Sequence, residues 1–272
     1  MSDKTTLGNR MKSYYENPYR IYLPRRSPMI IRIDMKCGHS FTRGFQRPFD
    51  DIFIKSIQET AKYLCENIEG TRISYQQSDE ISLLLTDYDK IETQAWFDKN
   101  LQKMCSIAAS MATLAFNRAF EEEVEALNFD WSMGVEGIDS NYLSTLYKAR
   151  EKGAMFDARC FVLPKEEVCN YFQWRQMDCV RNSIQMVGQA NFSHRELQHK
   201  KNEDIQEMLF SQKGINWNDF STVEKRGSCC IKDGVKTVID MQTGEEKERK
   251  TWRVDTEIPI FSQDRNYIER FV

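Results

Sequence analysis

The sequence predicts an α+β fold of the ferredoxin-like βαββαβ type, with appended helices and a C-terminal β region. Three observations predict it. Short apolar or alternating runs stand at 29–34, 73–76, 81–85 and 155–162. Helix-like segments separate the first run from the second and the third from the fourth. From Lys225 onward the pattern turns to β, and no Gly/Ser linker divides the chain.

Each element follows from its residues. Residues 7–16 have a short helical pattern. Pro18, Pro24 and Pro28 then impose an extended approach, because proline lacks the helical donor and restricts its predecessor. Met29-Ile30-Ile31-Arg32-Ile33-Asp34 is a strand that ends in a carboxylate, apolar enough to be buried on both faces. Asp50 can cap a helix running to Ile68, with Phe53, Ile57, Leu64 and Ile68 on one face. Gly70 stops it. Residues 73–76 and 81–85 form a hairpin around Gln77-Ser78-Asp79-Glu80. A long helix is expected from Glu92 to Phe120, its middle rich in Ala, Ser and Met and so suited to close approach to a sheet. Met155 to Val162 alternates and supplies the fourth strand. Helices are expected over 165–188 and 200–211. Asp233-Gly234 and Thr243-Gly244 are turn signals in the final β region.

Composition excludes several classes. The chain has 272 residues, 40% of them hydrophobic, which is too apolar for disorder and long enough for a sizeable core. No apolar run reaches the roughly 18 residues needed to span a bilayer. The start lacks the apolar block of a signal peptide, so a cytoplasmic protein without membrane contact is expected. A formal net charge of −3 excludes a generic basic coat for nucleic acid, leaving local clusters for any such contact. The eight cysteines form no Cys-x-x-Cys pair and read as reduced core thiols.

Two acidic positions carry the chemistry. Asp34 ends the first strand, and Asp79 and Glu80 stand at the hairpin tip. In a βαββαβ sheet these segments are neighbours. Carboxylates placed together repel and raise each other's pKa, a cost that a divalent cation removes. A pair of Mg²⁺ ions there would suit in-line phosphoryl transfer. The other reading of the hairpin tip is a solvated turn. Between the two positions, Lys36, Arg43 and Arg47 with Gly38 and Gly44 form either an ordinary basic loop or a cradle for phosphate.

The stretch Arg32-Ile33-Asp34-Met35-Lys36-Cys37-Gly38-His39-Ser40-Phe41-Thr42-Arg43-Gly44-Phe45 resembles the metal-binding strand and loop of the tRNA guanylyltransferase-like family of reverse (3′-to-5′) polymerases. Ser78-Asp79-Glu80 is similar to its second acidic motif. Trp174-Arg175-Gln176-Met177-Asp178 with Asn182 resembles its Trp-Arg-Gln helix. Asn202-Glu203, Gly214-Ile215-Asn216-Trp217 and Lys225-Arg226-Gly227 follow in the family's order. Met35 and Gly38 stand where the family usually has Gly and an aromatic residue. Val180 takes the place of a His found in the eukaryotic histidine-tRNA enzymes.

The resemblance implies a polymerase-palm catalytic region over 1–164, with the helical and β region of 165–272 packed on it as one unit. It implies a Mg²⁺-dependent nucleotidyltransferase that activates a tRNA 5′ end with ATP or GTP and then extends it 3′-to-5′. Templated repair of 5′-truncated tRNA is the leading expectation, and G addition to histidine tRNA is the alternative. A nucleotide cyclase and an RNA-binding protein with an inactive palm are more distant readings. By the same resemblance Asp34, Asp79 and Glu80 are catalytic, and Asp34, Asp79 and the Met35 carbonyl hold two Mg²⁺. Lys36, Cys37, Gly38, His39, Arg47 and Ser78 bind nucleotide. A tRNA substrate would be met by Arg175, Asp178, Asn182, Lys200, Lys201, Lys225 and Arg226. A homotetramer is implied. Trp174, Met177, Val180, Ile184 and Val187 share a helical spacing and read as core.

Overall fold

The computed structural model describes residues 6–239 and 246–272. A short helix, α1 (Thr6–Met11), passes through a π-turn and a 3-10 turn to β1 (Met29–Met35). After it come a single turn of helix, α2 (Gly38–Phe41), and α3 (Asp51–Asn67), then the hairpin of β2 (Thr71–Gln77) and β3 (Glu80–Leu85). Two long helical elements, α4 (Leu101–Ser132) and α5 (Ser140–Lys152), lead to β4 (Phe156–Val162). The rest comprises α6 (Lys165–Asn191), α7 (His194–Leu197), α8 (Asn202–Lys213), α9 (Thr222–Arg226), β5 (Ser228–Ile239), β6 (Glu246–Asp255) and α10 (Asn266–Glu269).

One antiparallel sheet has the order β4-β1-β3-β2-β5-β6. Its first four strands have the split βαβ order, so the fold class is the one predicted. The C-terminal strands extend the same sheet, since β5 pairs with β2. Both faces are covered. On one, Ile31, Ile33, Ile81 and Leu83 pack with Ile57 and Leu64 of α3 and Ala108, Ala112 and Phe116 of α4. On the other, Ile30, Ile73, Tyr75 and Leu84 pack with Val168 and Phe172 of α6 and with Phe261 and Ile268 near the C-terminus. The small residues of α4 face the sheet, as a close helix–sheet approach requires.

Three sequence expectations change. The long helix starts later than Glu92 and runs on to Ser132. Its start is delayed by the turn Trp96–Lys99, where Phe97, Asp98 and Lys99 all adopt positive φ. That turn is held by the buried Lys99 ammonium, which donates to Pro24 O (2.8 Å), Ser27 O (2.9 Å) and Asp87 Oδ1 (3.1 Å). The helix α5 had no sequence counterpart. Asp233-Gly234 lies inside β5 instead of turning the chain. The β5–β6 register shifts there, and a Cβ on Gly234 would come 2.6 Å from Thr251 Oγ1. Glycine marks a close strand approach at this bulge. The expected turn at Thr243-Gly244 lies outside the described residues.

Candidate active site

The site forms where β1 and the β2–β3 hairpin end together. Asp34, the penultimate residue of β1, is the direct cross-strand partner of Glu80 on one side and of Asp157 on the other. Residues opposite each other in antiparallel strands share a sheet face, so three carboxylates stand in one row. Ser78 (φ 49°) and Asp79 make the tight turn of the hairpin. The Asp79 carbonyl accepts the Met35 amide at 3.1 Å, tying the turn to the end of β1. Burial pushes the Asp79 carboxyl above the usual range. Hydrogen bonds from its own backbone and Ser78 oppose that shift, and the charge of Asp34 adds to it.

Beyond β1, Lys36 donates its amide to Met155 O at 2.7 Å. Cys37 then turns left-handed (φ 58°) and opens α2. The amides of Cys37, Gly38 and His39 reach no protein acceptor among the described residues. A Cβ at position 38 would collide with Asp79 Oδ2 and lie 2.9 Å from Asp79 Cγ. Gly38 therefore makes the room that the Asp79 carboxylate occupies.

The carboxylates differ in their partners. Glu80 is fully committed: Arg175 donates Nε to Oε1 at 2.7 Å and Nη2 to Oε2 at 2.6 Å, both side chains buried. Burial pushes the Glu80 carboxyl up and Arg175 opposes it, leaving a net rise. Asp34 is not so satisfied. Its Oδ2 has Arg32 Nε at 3.3 Å and Arg159 Nη2 at 3.8 Å, makes no hydrogen bond, and is shut off from water. An orphaned, buried carboxylate oxygen is costly unless a further cation meets it. With Asp79 close by, Asp34 fits a hard divalent ion, and the Met35 carbonyl belongs to the same segment. Among the described residues no three acidic, imidazole or thiol groups form a complete metal cage. Magnesium does not need one, because it commonly takes one or two carboxylates and completes its shell with phosphate oxygens and water.

Beside the hairpin opens a cavity of about 270 Å³. His39, Arg47 and Ser78 line it together, with Gln77 and Asn182. Three of the residues expected to bind nucleotide thus share one cleft. Lys36 and Cys37 stand exposed on the adjoining loop. The cleft is rich in side-chain amides: Gln46, Gln58, Gln76 and Gln189 also line it.

Residues expected to meet RNA divide. Arg175 is 7% exposed, with its guanidinium occupied by Glu80 and by Asp178 Oδ2 (2.9 Å). That corrects its reading as an RNA contact: the charge is spent inside the protein. Asp178 also pairs with Arg181. Asn182 faces the cleft. Lys200 and Lys201 are exposed just before α8. Lys225 donates to Asn218 O, and Arg226 Nε to Ile258 O at 3.2 Å. The buried arc of α6 is also the reverse of the expected one at its middle. Trp174 and Met177 are exposed, while Arg175, Gln176 and Cys179 are buried. This face must supply polar partners, since Gln176 bonds Pro259 O (2.9 Å) and the Phe261 amide (2.8 Å). Asp157 and Arg159, beside Asp34 on β4, were not anticipated as neighbours of the site. Their alternation along the strand was visible, but the register that faces them toward Asp34 was not.

Comparison with known proteins completes the picture. The family model described as tRNAHis guanylyltransferase matches residues 8–164, and the model described as Thg1 C terminal domain matches 166–266. The structure is similar to that of a bacterial tRNA(His) guanylyltransferase (Thg1)-like protein in complex with ATP, at 44% identity and TM-score 0.80 over 98% of this chain and 99% of that one. It is similar to such a protein in complex with GTP, at 42% identity and TM-score 0.75 over the same shares of the two chains. The tRNA(His) guanylyltransferase of Debaryomyces hansenii is 26% identical over 75% of this chain and 73% of its own.

Proposed function

Since this chain belongs to the tRNAHis guanylyltransferase family and is thus a nucleotidyltransferase acting on tRNA, we propose that it extends tRNA 5′ ends in the 3′-to-5′ direction, as a templated repair of 5′-truncated tRNA. The observation that carries the chemistry is the unsatisfied Oδ2 of Asp34 beside the Asp79 carboxylate. The repair reading is supported by 44% identity to a Thg1-like protein, against 26% to the D. hansenii guanylyltransferase, and by Val180.

In this reading Asp34, Asp79 and the Met35 carbonyl hold Mg²⁺, which would neutralise phosphate charge and help ionise the attacking hydroxyl. The chain's own residues position the reactants. The amides at 37–39 and the side chains of Lys36, His39, Arg47 and Ser78 surround a triphosphate. The cleft receives the base of ATP or GTP, where its amide side chains can donate and accept. Phosphoryl transfer asks little more of a protein than alignment and charge compensation. Glu80 shapes the field while held by Arg175. A cytoplasmic homotetramer belongs to the same proposal.

The test incubates the protein with 5′-truncated tRNAs and each nucleoside triphosphate. Additions matching the opposite strand are expected. A single G confined to histidine tRNA would overturn the repair reading and leave the alternative standing. Asp34→Ala and Asp79→Ala should each abolish incorporation while the circular dichroism and melting curve stay close to the parent's. Incorporation within a few-fold of the parent would remove both residues from catalysis.

A further inference from the structure

Gln77 extends the row of Asp157, Asp34 and Glu80 by one strand. It is the cross-strand partner of Glu80, so the row crosses β4, β1, β3 and β2 on one sheet face. Gln77 is 5% exposed and lines the cleft. Its Oε1 is enclosed and has no hydrogen-bond partner. Its Nε2 makes no bond to any described residue either. The neighbouring amides differ. Gln76 accepts the Ser74 hydroxyl on Oε1 (3.2 Å) and donates Nε2 to Ser228 Oγ (3.1 Å). Gln58 also donates to Ser228 Oγ, at 3.1 Å. Gln46 and Gln189 are exposed, where water serves them. Among the described glutamines that line the cleft, only Gln77 is both buried and unheld. An enclosed carbonyl without a donor is costly, so the position suits a ligand that supplies one.

Chemistry narrows the ligand group. A phosphate oxygen has no hydrogen to give Oε1. The ion expected at Asp34 is out of reach, because two strand spacings, roughly 10 Å, separate the two residues. A hydroxyl can donate to Oε1 or accept from Nε2, so it satisfies the amide whichever end meets it. Position narrows it further. Gln77 directly precedes Ser78, and successive Cα atoms lie about 3.8 Å apart. In the nucleotide reading, on which this inference rests, Ser78 touches phosphate. The part of a nucleotide next to its phosphates is the sugar, and the amino groups of the base edge lie further off. Of the sugar's two hydroxyls, the 3′ one is the attacking group in that reading and belongs at the metal.

We propose that Gln77 reads the ribose 2′-hydroxyl of the nucleoside triphosphate in the cleft, making the site selective for ribonucleotides over deoxyribonucleotides. The 2′-hydroxyl is donor and acceptor together, and it is the group that separates the two classes. A deoxyribose leaves the Gln77 amide without a partner. A buried polar group left unpaired rejects the wrong ligand more strongly than a missing methylene does.

Equilibrium binding of ATP and of 2′-deoxy-ATP to the full chain, with Mg²⁺ and without tRNA, tests this. The parent should bind ATP roughly tenfold tighter or more. Gln77→Met nearly keeps the side-chain volume and should abolish that ratio through weaker ATP binding, with 2′-deoxy-ATP little changed. Its melting temperature should hold, because no protein hydrogen bond is lost. A parent that binds both nucleotides equally overturns the proposal without need of a variant. So does a Gln77→Met protein that keeps the parent's ratio, or one that shifts ATP against GTP instead, which would put the base at Gln77. A chain that binds neither nucleotide overturns the nucleotide reading and this inference with it. Extension of tRNA by a chain with equal affinity for the two nucleotides overturns this inference alone.

Discussion

Gly38 and Asp79 can keep their places only while residue 38 has no side chain. A Cβ there meets the Asp79 carboxylate head on, so Gly38→Ala must displace that carboxylate. Displacements of about 1 Å at a catalytic group can cost roughly 100-fold, and a loss of this order in kcat/KM is expected with little change in Tm. Unaltered kinetics would mean that Asp79 has another productive position. Arg175 makes a different prediction, on stability. Removing one partner of a buried ion pair strands the other, at a cost of about 3–5 kcal/mol. Arg175→Met should show that loss in urea unfolding, whereas Arg175→Met with Glu80→Gln should lose much less. Equal losses would mean that Arg175 acts independently of Glu80. Asp34 and Asp79 were legible as a pair because a strand end and a hairpin tip are visible in a sequence. The Arg175–Glu80 bond was not, since 95 residues separate the partners. Helical spacing alone ranked Trp174 above Arg175 as core, because it cannot see a buried carboxylate that needs a guanidinium.

Elements were legible where a start signal and an apolar face agreed. For α3 they did. Asp50 caps it through the Phe53 amide at 2.9 Å, close to where the sequence placed its start. The same carboxylate accepts the Gln46 amide (3.0 Å) and the Tyr142 hydroxyl (2.7 Å), joining the basic loop and α5 to the start of α3. Burial first, and then Asp50, push the Tyr142 phenol upward, so it remains a donor at any ordinary pH. Asp50→Ala removes a cap and strands two donors, at a cost of about 2–3 kcal/mol. Asp50→Asn keeps an acceptor and should recover much of that in the same unfolding experiment. Were the two variants equally unstable, charge rather than hydrogen bonding would be the stabilising factor. The start of α4 was misread for the opposite reason. A lysine almost never signals burial, and nothing local to Lys99 announces that Pro24, Ser27 and Asp87 will surround its ammonium.

At the scale of the molecule, the sheet belongs to both halves of the chain. Its second face is covered by residues beyond 164, and β5 continues it past β2. Gly227 allows that junction, since a Cβ there would lie 2.5 Å from Gln76 O. Removing 165–272 would expose Ile30, Ile73, Tyr75 and Leu84 together. Re-exposing a large apolar side chain costs roughly 1.5–3 kcal/mol. Four of them rival the whole stability of a typical domain, about 5–15 kcal/mol. The loss of Arg175 would also strand Glu80 beside Asp34. Residues 1–164 alone should therefore bind a hydrophobic dye and melt without a cooperative transition, while the full chain melts in one step. A cooperative melt of the fragment would show that its helices and first sheet face suffice. The covering by α6 would then serve to place Arg175 and the cleft rather than to hold the sheet together.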